Sequence, residues 1–494
     1  MRSLLNSKIE KMIITLNPQF AIRNESECSY IVKRNWEIDA AIGKDVASVT
    51  IIPPVIGYIL NTIGLFDYNE SLKKISKELN VSEQAIDNFT QSLLSNEAKG
   101  LKIGDDIIKF PQRLLIKSKK IIQEDTSPLN TSCTFSYLRP QMPITVNVMV
   151  TTKCTTNCCY CYAKRHLNYE LGTNELVKFI KDCKHENIIN LNLTGGDIFA
   201  RKDWKNILSA TKECGFNPFL STKTPLDEEG IKYLSKIGIH ELQFSLDSCR
   251  TNTLMELIQV NENYLHKVCT MFELCDKYKI RLAIRTVLCS VNSDIVQLEE
   301  LYSFLKKFNY IKDWVLTPAF FSEHKKEEYK KYNVSNENLI NVKNFINNQV
   351  MPFPVYLSKI SECGYELQRF KSTDEYVMKN QACYANTYSI SVLASGECTI
   401  CEMLYDNEEY LIGNIRENSL REIWNSKKAI SLYTPNQDET STNSPCHTCN
   451  VFDDCKKKLA KKICYVDIAK TNVGTTKDLP DPRCPLSKPI NVIL

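Results

Sequence analysis

The run "CTTNCCYC", residues 154–161, places four thiols within eight positions. Cys154, Cys158 and Cys161 follow the spacing C-x3-C-x2-C. Three soft thiolates on one short loop suit an iron–sulfur cluster. A [4Fe–4S] cube held by three cysteines keeps one iron open for a non-protein ligand. Tyr160 directly precedes the third cysteine and can pack against such a group. Structural zinc is the alternative, because it takes four ligands and Cys159 offers a fourth thiol. Neighbouring Cys158 and Cys159, however, point in different directions on a loop.

A second concentration lies near the other end of the chain. Cys383 is followed by Gly396 and Cys401, then by Cys446, Cys449 and Cys455 in the spacing C-x2-C-x5-C, then by Cys464 and Cys484. Cys398/Cys401 and Cys446/Cys449 are both C-x2-C pairs, so a zinc ribbon is one reading. It leaves Cys383, Cys455, Cys464 and Cys484 without a role.

The 494 residues contain 21 cysteines but no export-like leader, and reduced, clustered thiols more often bind metal than form bridges. The expected location is the cytoplasm. The longest apolar stretch, "VTIIPPVIGYIL", is too short to cross a bilayer. A net charge of +4 is too small to argue for or against nucleic acid. Lone cysteines such as Cys183 and Cys269 sit among apolar helical residues and read as small buried hydrophobes.

The elements that would position the first loop begin at residue 144. "ITVNVMVT", "IINLNLTG", "NPFLSTK", "HELQFSLDS", "IRLAIRTVL" and "DWVLTPAF" read as strands, with amphipathic helices such as "NELVKFIKDCKHE" and "DIVQLEELYSFLKKF" between them. Six β-α repeats imply a parallel sheet with right-handed crossovers, short of the eight units of a closed barrel. The predicted fold class is α/β: a partial, TIM-like (β/α)6 barrel over residues 144–345, with a loop-rich iron–sulfur domain over 346–494. "SISVLASGECTICEML" reads as a hairpin within that last domain. Residues 1–115 read as a winged-helix-like domain: strands "SYIVKRNW" and "ASVTIIP", three helices with Ser71 and Ser82 as N-caps of the last two, and a hairpin turning at Gly104 and Asp105. Residues 116–143 read as a linker.

The cysteine loop after the first barrel strand resembles that of radical S-adenosylmethionine (SAM) enzymes, whose pattern is C-x3-C-x-aromatic-C. The resemblance implies that the open iron takes SAM, whose cleavage yields a 5′-deoxyadenosyl radical. "LTGGDIF" then resembles the family motif holding the SAM amine, with Gly195, Gly196 and Asp197 in place and Asp where the family has Glu. Ser245 and Asp247 of "QFSLDS" resemble a polar pair near the SAM ribose and carboxylate, and Arg285 stands where a SAM or substrate contact would fall. The arginine that many relatives carry after this segment is missing from "NTLMELIQVNENYLHKV". The later cysteines resemble the SPASM extension, which binds two auxiliary [4Fe–4S] clusters, giving three in all. The resemblance gives Cys446, Cys449, Cys455 and Cys484 to the outer cluster. It gives Cys383, Cys401 and Cys464 to the inner one, with Cys398 or the substrate as fourth ligand. Cys464 stands nine residues after Cys455, where the family spacing is four.

A winged helix suggests DNA, yet the recognition-helix segment "SEQAIDNFTQSLLSN" has two acids and no Lys or Arg. In plan the segment resembles the PqqD-like domain that captures leader peptides by adding a strand to its sheet. The whole chain resembles maturases that install thioether crosslinks in ribosomally made peptides (sactipeptide and ranthipeptide synthases). The resemblance implies a precursor peptide and an electron donor such as flavodoxin or ferredoxin, with neither nucleic acid nor membrane as partner. Alternatives are a C–C link, epimerisation or formylglycine formation, and a non-enzymatic iron–sulfur DNA-binding sensor.

Overall fold

The computed structural model describes residues 13–34, 49–103, 106–118, 131–161, 163, 169–319, 326–358, 369–380, 382–405, 407–472 and 476–488. The chain divides into two compact units, one comprising Met1–Glu37 with Asp45–Pro140, the other Ile38–Lys44 with Gln141–Leu494.

In the first unit, β1 (Ile13–Leu16), β2 (Phe20–Asn24), β3 (Ser29–Lys33) and β4 (Val49–Ile52) precede three helices, α1 (Pro54–Ile63), α2 (Tyr68–Leu79) and α3 (Glu83–Leu93). The strands β5 (Lys99–Ile103), β6 (Asp106–Phe110) and β7 (Leu115–Ser118) follow. β2, β3 and β4 form an antiparallel sheet, β5 pairs with β6, and β7 pairs with β1. Three helices followed by a hairpin match the winged-helix plan. The turn expected at Gly104 and Asp105 lies outside the described residues. Two details differ from the sequence reading. β7 falls at the start of the segment read as linker, because Leu115 returns to the unit's core. And α2 starts earlier than expected: Asp67, not Ser71, is its N-cap, accepting from the Asn69 amide at 3.2 Å. Ser71 lies buried within the helix and donates its hydroxyl to the Thr62 carbonyl at 3.2 Å. Ser82 caps α3 as expected, accepting from the Ala85 amide at 3.3 Å.

The second unit is built on parallel strands β8 (Thr145–Thr151), β9 (Asn190–Gly195), β10 (Ser221–Thr222), β11 (Glu241–Ser245), β12 (Arg281–Leu288) and β13 (Ile311–Pro318). Helices α4 (Thr173–His185), α5 (Trp204–Glu213), α6 (Glu228–Lys236), α7 (Thr251–Ile258), α8 (Tyr264–Tyr278) and α9 (Ile295–Leu305) connect them. β8 pairs with β9, and β10, β11, β12 and β13 pair in that order, all parallel. A single parallel bridge, Leu193 to Leu220, joins β9 to the short β10. This is the partial barrel fold, with only two residues of "NPFLSTK" in regular pairing.

Alternation along the strands divides the sheet's two faces. Val146, Val148, Val150, Leu193, Phe244, Ile284 and Trp314 pack in the main core, which Cys183 of α4 also joins. Cys269, read as buried, is instead partly exposed. The opposite face is polar: Asn192 donates to Asn147 at 2.9 Å, and Gln243 to Ser221 at 2.6 Å. Alternation of helix and strand continues past residue 345, through helix Asn336–Asn348 into β14 (Val355–Leu357), which pairs with β13. At the other edge β15 (Ser389–Val392) pairs parallel to β8 and carries the antiparallel β16 (Glu397–Thr399) and β17 (Leu411–Asn414). The expected hairpin is therefore welded to the barrel sheet.

Phe272 of α8 is fully buried and meets Phe244, Phe304 and Phe308 with ring centroids 5.2–5.9 Å away. Phe272→Ala should cost about 3–5 kcal/mol, read as a lower urea midpoint.

Candidate active site

The loop after β8 is fastened on two sides. Toward α7, the Asn157 amide donates to the Ile258 carbonyl at 2.9 Å and the Cys159 amide to Leu257 at 2.8 Å. Toward β9, the Gly196 amide donates to the Thr151 carbonyl and the Asp197 amide to Lys153, both at 2.7 Å. A β-carbon at Gly195 would stand 2.3 Å from the Thr151 oxygen, and one at Gly196 2.1 Å from the Lys153 oxygen. Gly195 also has φ +134°, which side chains rarely adopt. The glycine pair thus lets the end of β9 lie directly on the cysteine loop.

Asp197 is 4% exposed and fully engaged by the protein itself. One oxygen accepts from the Thr222 and Thr224 hydroxyls at 2.6 and 2.8 Å and from the Lys223 and Thr224 amides at 3.2 and 3.3 Å. The other accepts from the Phe199 amide at 3.0 Å. The sequence reading gave this carboxylate to an ammonium group. Here it ties the end of β9 to the end of β10.

Asp247, 1% exposed, sits beyond that tie. Its Oδ2 accepts from the Tyr160 hydroxyl and, at 2.8 Å, from Lys223 Nζ, while Oδ1 accepts from the Val287 amide at 2.9 Å. Lys223 Nζ also stands 5.5 Å from the centre of the Tyr160 ring. Burial pushes the Tyr160 phenol well above its usual range, and the Asp247 charge adds to this. Burial works against the Lys223 ammonium, but Asp247 outweighs it and the lysine is raised. Ser245 and Arg285 are register partners on β11 and β12. The Arg285 guanidinium is taken by buried Asp313 at 2.5 Å and by the Ile284 carbonyl at 2.8 Å. Tyr160, Asp247 and the glycine turn therefore converge on the cysteine loop. Arg285 is occupied by a carboxylate on the next strand.

The sequence missed Lys223, which lies where a strand prediction merely ended. It also missed Glu402, next to Cys401. Glu402 accepts from the Thr194 hydroxyl at 3.3 Å, and burial raises its carboxyl. Thr194 lies on the polar face near the end of β9, so this carboxyl joins the C-terminal segment to the barrel face where the cysteine loop sits.

Several of the later cysteines act on one another electrostatically. Burial pushes the Cys455 thiol up to about 12, with Cys446 and Cys484 contributing. Burial pushes Cys484 up to about 11, with Cys446 and Cys449 contributing. Burial likewise raises Cys464 strongly, with Asp467 and Cys383 contributing. The Cys383 amide donates to Lys461 at 2.7 Å, and the Cys464 amide to buried Asp481 at 2.9 Å. Cys401 opens the 3-10 turn Glu402–Leu404. Cys398 departs from the reading that offered it as a ligand. Strand alternation turns it into the main core, fully buried near Cys183, its thiol 3.9 Å from the Gly396 carbonyl. A single zinc would hold its sulfurs about 2.3 Å from one point. Among the described residues no three His, Cys, Asp or Glu side chains converge in that way. Sulfurs on a [4Fe–4S] cube stand farther apart, and soft thiolate sets of this composition suit it.

Residues 148–310 match the model of the radical SAM superfamily. This segment is a radical SAM domain. Residues 383–450 match SPASM, described as an iron–sulfur cluster-binding domain, and that match includes Cys383, Cys401, Cys446 and Cys449. These domains imply SAM and [4Fe–4S] clusters as the enzyme's cofactors. Among curated proteins, the GTP 3′,8-cyclase of Clostridium perfringens (strain SM101 / Type A) is 27% identical over 153 residues, 29% of this chain and 46% of that protein. The GTP 3′,8-cyclase of Campylobacter lari is 27% identical over 123 residues, 24% of this chain and 38% of that protein. The chain thus spans less than half the length of these relatives. Among solved structures, Streptococcus suis SuiB bound to precursor peptide SuiA aligns with a TM-score of 0.63 and 14% identity, covering 96% of this chain and all of that one. SuiB bound to S-adenosylmethionine aligns with a TM-score of 0.59 and 13% identity, over the same shares. These two likenesses show a shared fold. Among the described residues no helix is long and apolar enough to cross a membrane.

Cys159 is buried, its thiol hydrogen-bonded to Cys289. Cys159→Ala should therefore keep the iron that Cys158→Ala loses, measured on anaerobically reconstituted protein. Gly196→Ala should lose that iron too, because its β-carbon would collide with the Lys153 carbonyl.

Proposed function

We propose that this radical SAM enzyme installs a thioether, joining a cysteine sulfur to a carbon of another residue, in a ribosomally made precursor peptide. The observation that carries the peptide substrate is the likeness, along nearly the whole chain, to a protein bound to its precursor peptide; the thioether is our own reading of the bond formed. The SPASM cysteines and the winged-helix plan support it. The GTP-cyclase relatives match over too little of their length to transfer their substrate.

In this reading Cys154, Cys158 and Cys161 hold the first [4Fe–4S] cluster, with SAM on the open iron. When bound, that pair supplies a 5′-deoxyadenosyl radical. Tyr160, Lys223 and Asp247 form the polar wall beside it, and Gly195 and Gly196 set the loop's position. Cys446, Cys449, Cys455 and Cys484 hold the outer auxiliary cluster. Cys383, Cys401 and Cys464 hold the inner one, whose fourth position is left for a substrate thiolate now that Cys398 faces the core. Glu402 orients the peptide at the barrel face. The first unit takes the leader peptide as an added strand on its antiparallel sheet. A flavodoxin- or ferredoxin-class protein in the cytoplasm supplies electrons.

Iron analysis of anaerobically purified protein should give about twelve irons per chain, for three four-iron clusters. About four would contradict the auxiliary assignment. Cys154→Ala should abolish 5′-deoxyadenosine formation. Glu402→Gln should keep SAM cleavage while lowering peptide product at least about tenfold, the scale of one misplaced substrate contact.

A further inference from the structure

Cys464 stands nine residues after Cys455, and Cys484 a further twenty residues on. One carboxylate is bonded to the backbone at both. Asp481 is 2% exposed and lies in the run "PDPRCP", residues 480–485. Its Oδ2 accepts from the Cys464 amide at 2.9 Å. Its Oδ1 accepts from the Arg483 amide at 2.9 Å, and its own carbonyl accepts from the Cys484 amide at 2.9 Å. Asp followed by Pro favours a tight turn closed in this way, with the carboxylate on the amide two residues ahead. One oxygen thus shapes the turn that carries Cys484, while the other reaches across to the segment that carries Cys464.

Arg483 holds the carboxylate in that posture. Its Nη1 stands 2.9 Å from both Asp481 oxygens. Its Nη2 donates to Asp467 in helix Tyr465–Thr471, directly after Cys464. A buried carboxylate needs both a charge partner and hydrogen bonds, and Asp481 has both. The stretch before Cys464 is fixed by main-chain bonds as well. The Lys462 amide donates to the Cys455 carbonyl at 2.9 Å, and the Cys383 amide to the Lys461 carbonyl at 2.7 Å. Residues 461–464 are therefore bonded to the backbone at Cys383, at Cys455 and, through Asp481, to the turn of Cys484.

Groups that hold a metal ligand in place weigh on metal retention almost as the ligand does. We propose that Asp481 is a positioning residue shared by both auxiliary clusters. Its Oδ2 sets Cys464 for the inner cluster, and its Oδ1 sets the Cys484 turn for the outer one. This rests on the two auxiliary clusters of the reading above. It also gives Cys464 a reason to serve at its unusual spacing: the carboxylate, rather than the length of the segment after Cys455, fixes where it stands.

The test is iron analysis with EPR spectroscopy of the full-length, anaerobically reconstituted enzyme. Asp481→Ala removes no sulfur, yet it should fall from about twelve irons to about four, or keep its iron with both auxiliary signals altered. About eight irons, or one auxiliary signal altered alone, overturns the shared role. Full iron with parental signals overturns any role. Asp467→Asn takes a charge from Arg483 but leaves both Asp481 contacts in place, so it should keep full iron and parental signals. A loss there equal to that of Asp481→Ala overturns the proposal in favour of the ion pairs. Should Asp481→Ala be insoluble, Asp481→Asn decides. Its single oxygen can accept on one side only, so one auxiliary signal should change and the other stay parental. Two parental or two altered signals overturn the proposal. A parent enzyme with about four irons would instead remove the auxiliary clusters themselves, and with them this assignment.

Discussion

The site depends on how closely the end of β9 approaches the loop after β8. The two backbone hydrogen bonds from Gly196 and Asp197 form only if no side chain stands between the two segments, and the glycine pair meets that condition. Asp197 then makes the approach permanent. A buried carboxylate with five donors is costly to leave half-satisfied, so it holds the ends of β9 and β10 together. The bridge Leu193–Leu220 is the one regular pairing between these strands among the described residues. The Asp197 network therefore closes a seam the sheet leaves nearly open.

From this seam the rest of the active face follows. The same turn after β10 that feeds Asp197 carries Lys223 to Asp247, and Asp247 takes Tyr160 from the cysteine loop itself. Strand ends β8, β9, β10 and β11 are thus connected through two buried carboxylates. On the far edge, β15 continues the sheet from β8, so the segment leading to Cys398 and Cys401 is fixed by main-chain pairing to the strand that ends in the first cysteine loop. That register explains why one cysteine of the C-x2-C pair is lost to the core while the other opens a turn toward Glu402.

Much of this was legible in the sequence because period-two patterns and cysteine spacings are local signals. The strands ending at Thr151 and Gly195 were placed within two residues, the one read as far as Ser248 ends at Ser245, and the radical SAM and SPASM matches agree with the motifs quoted for them. What was not legible depends on tertiary partners. Asp197 looked like a free acid because its five donors come from segments up to 27 residues away. Cys398 looked like a ligand because spacing does not tell which face of a strand will be buried. Arg285 looked available because Asp313 lies on another strand. β1 and β2 went unread, although β3 and β4 have the same lengths and were read.

The central claim is thioether formation on a peptide, and mass spectrometry tests it most directly. The reconstituted enzyme would be incubated with SAM, a reductant and a cysteine-bearing precursor peptide. The product would then be treated with iodoacetamide. The account predicts loss of two hydrogens from the peptide together with loss of one alkylatable thiol. Loss of two hydrogens with every thiol still alkylated would contradict it, as would a peptide of unchanged mass beside active SAM cleavage.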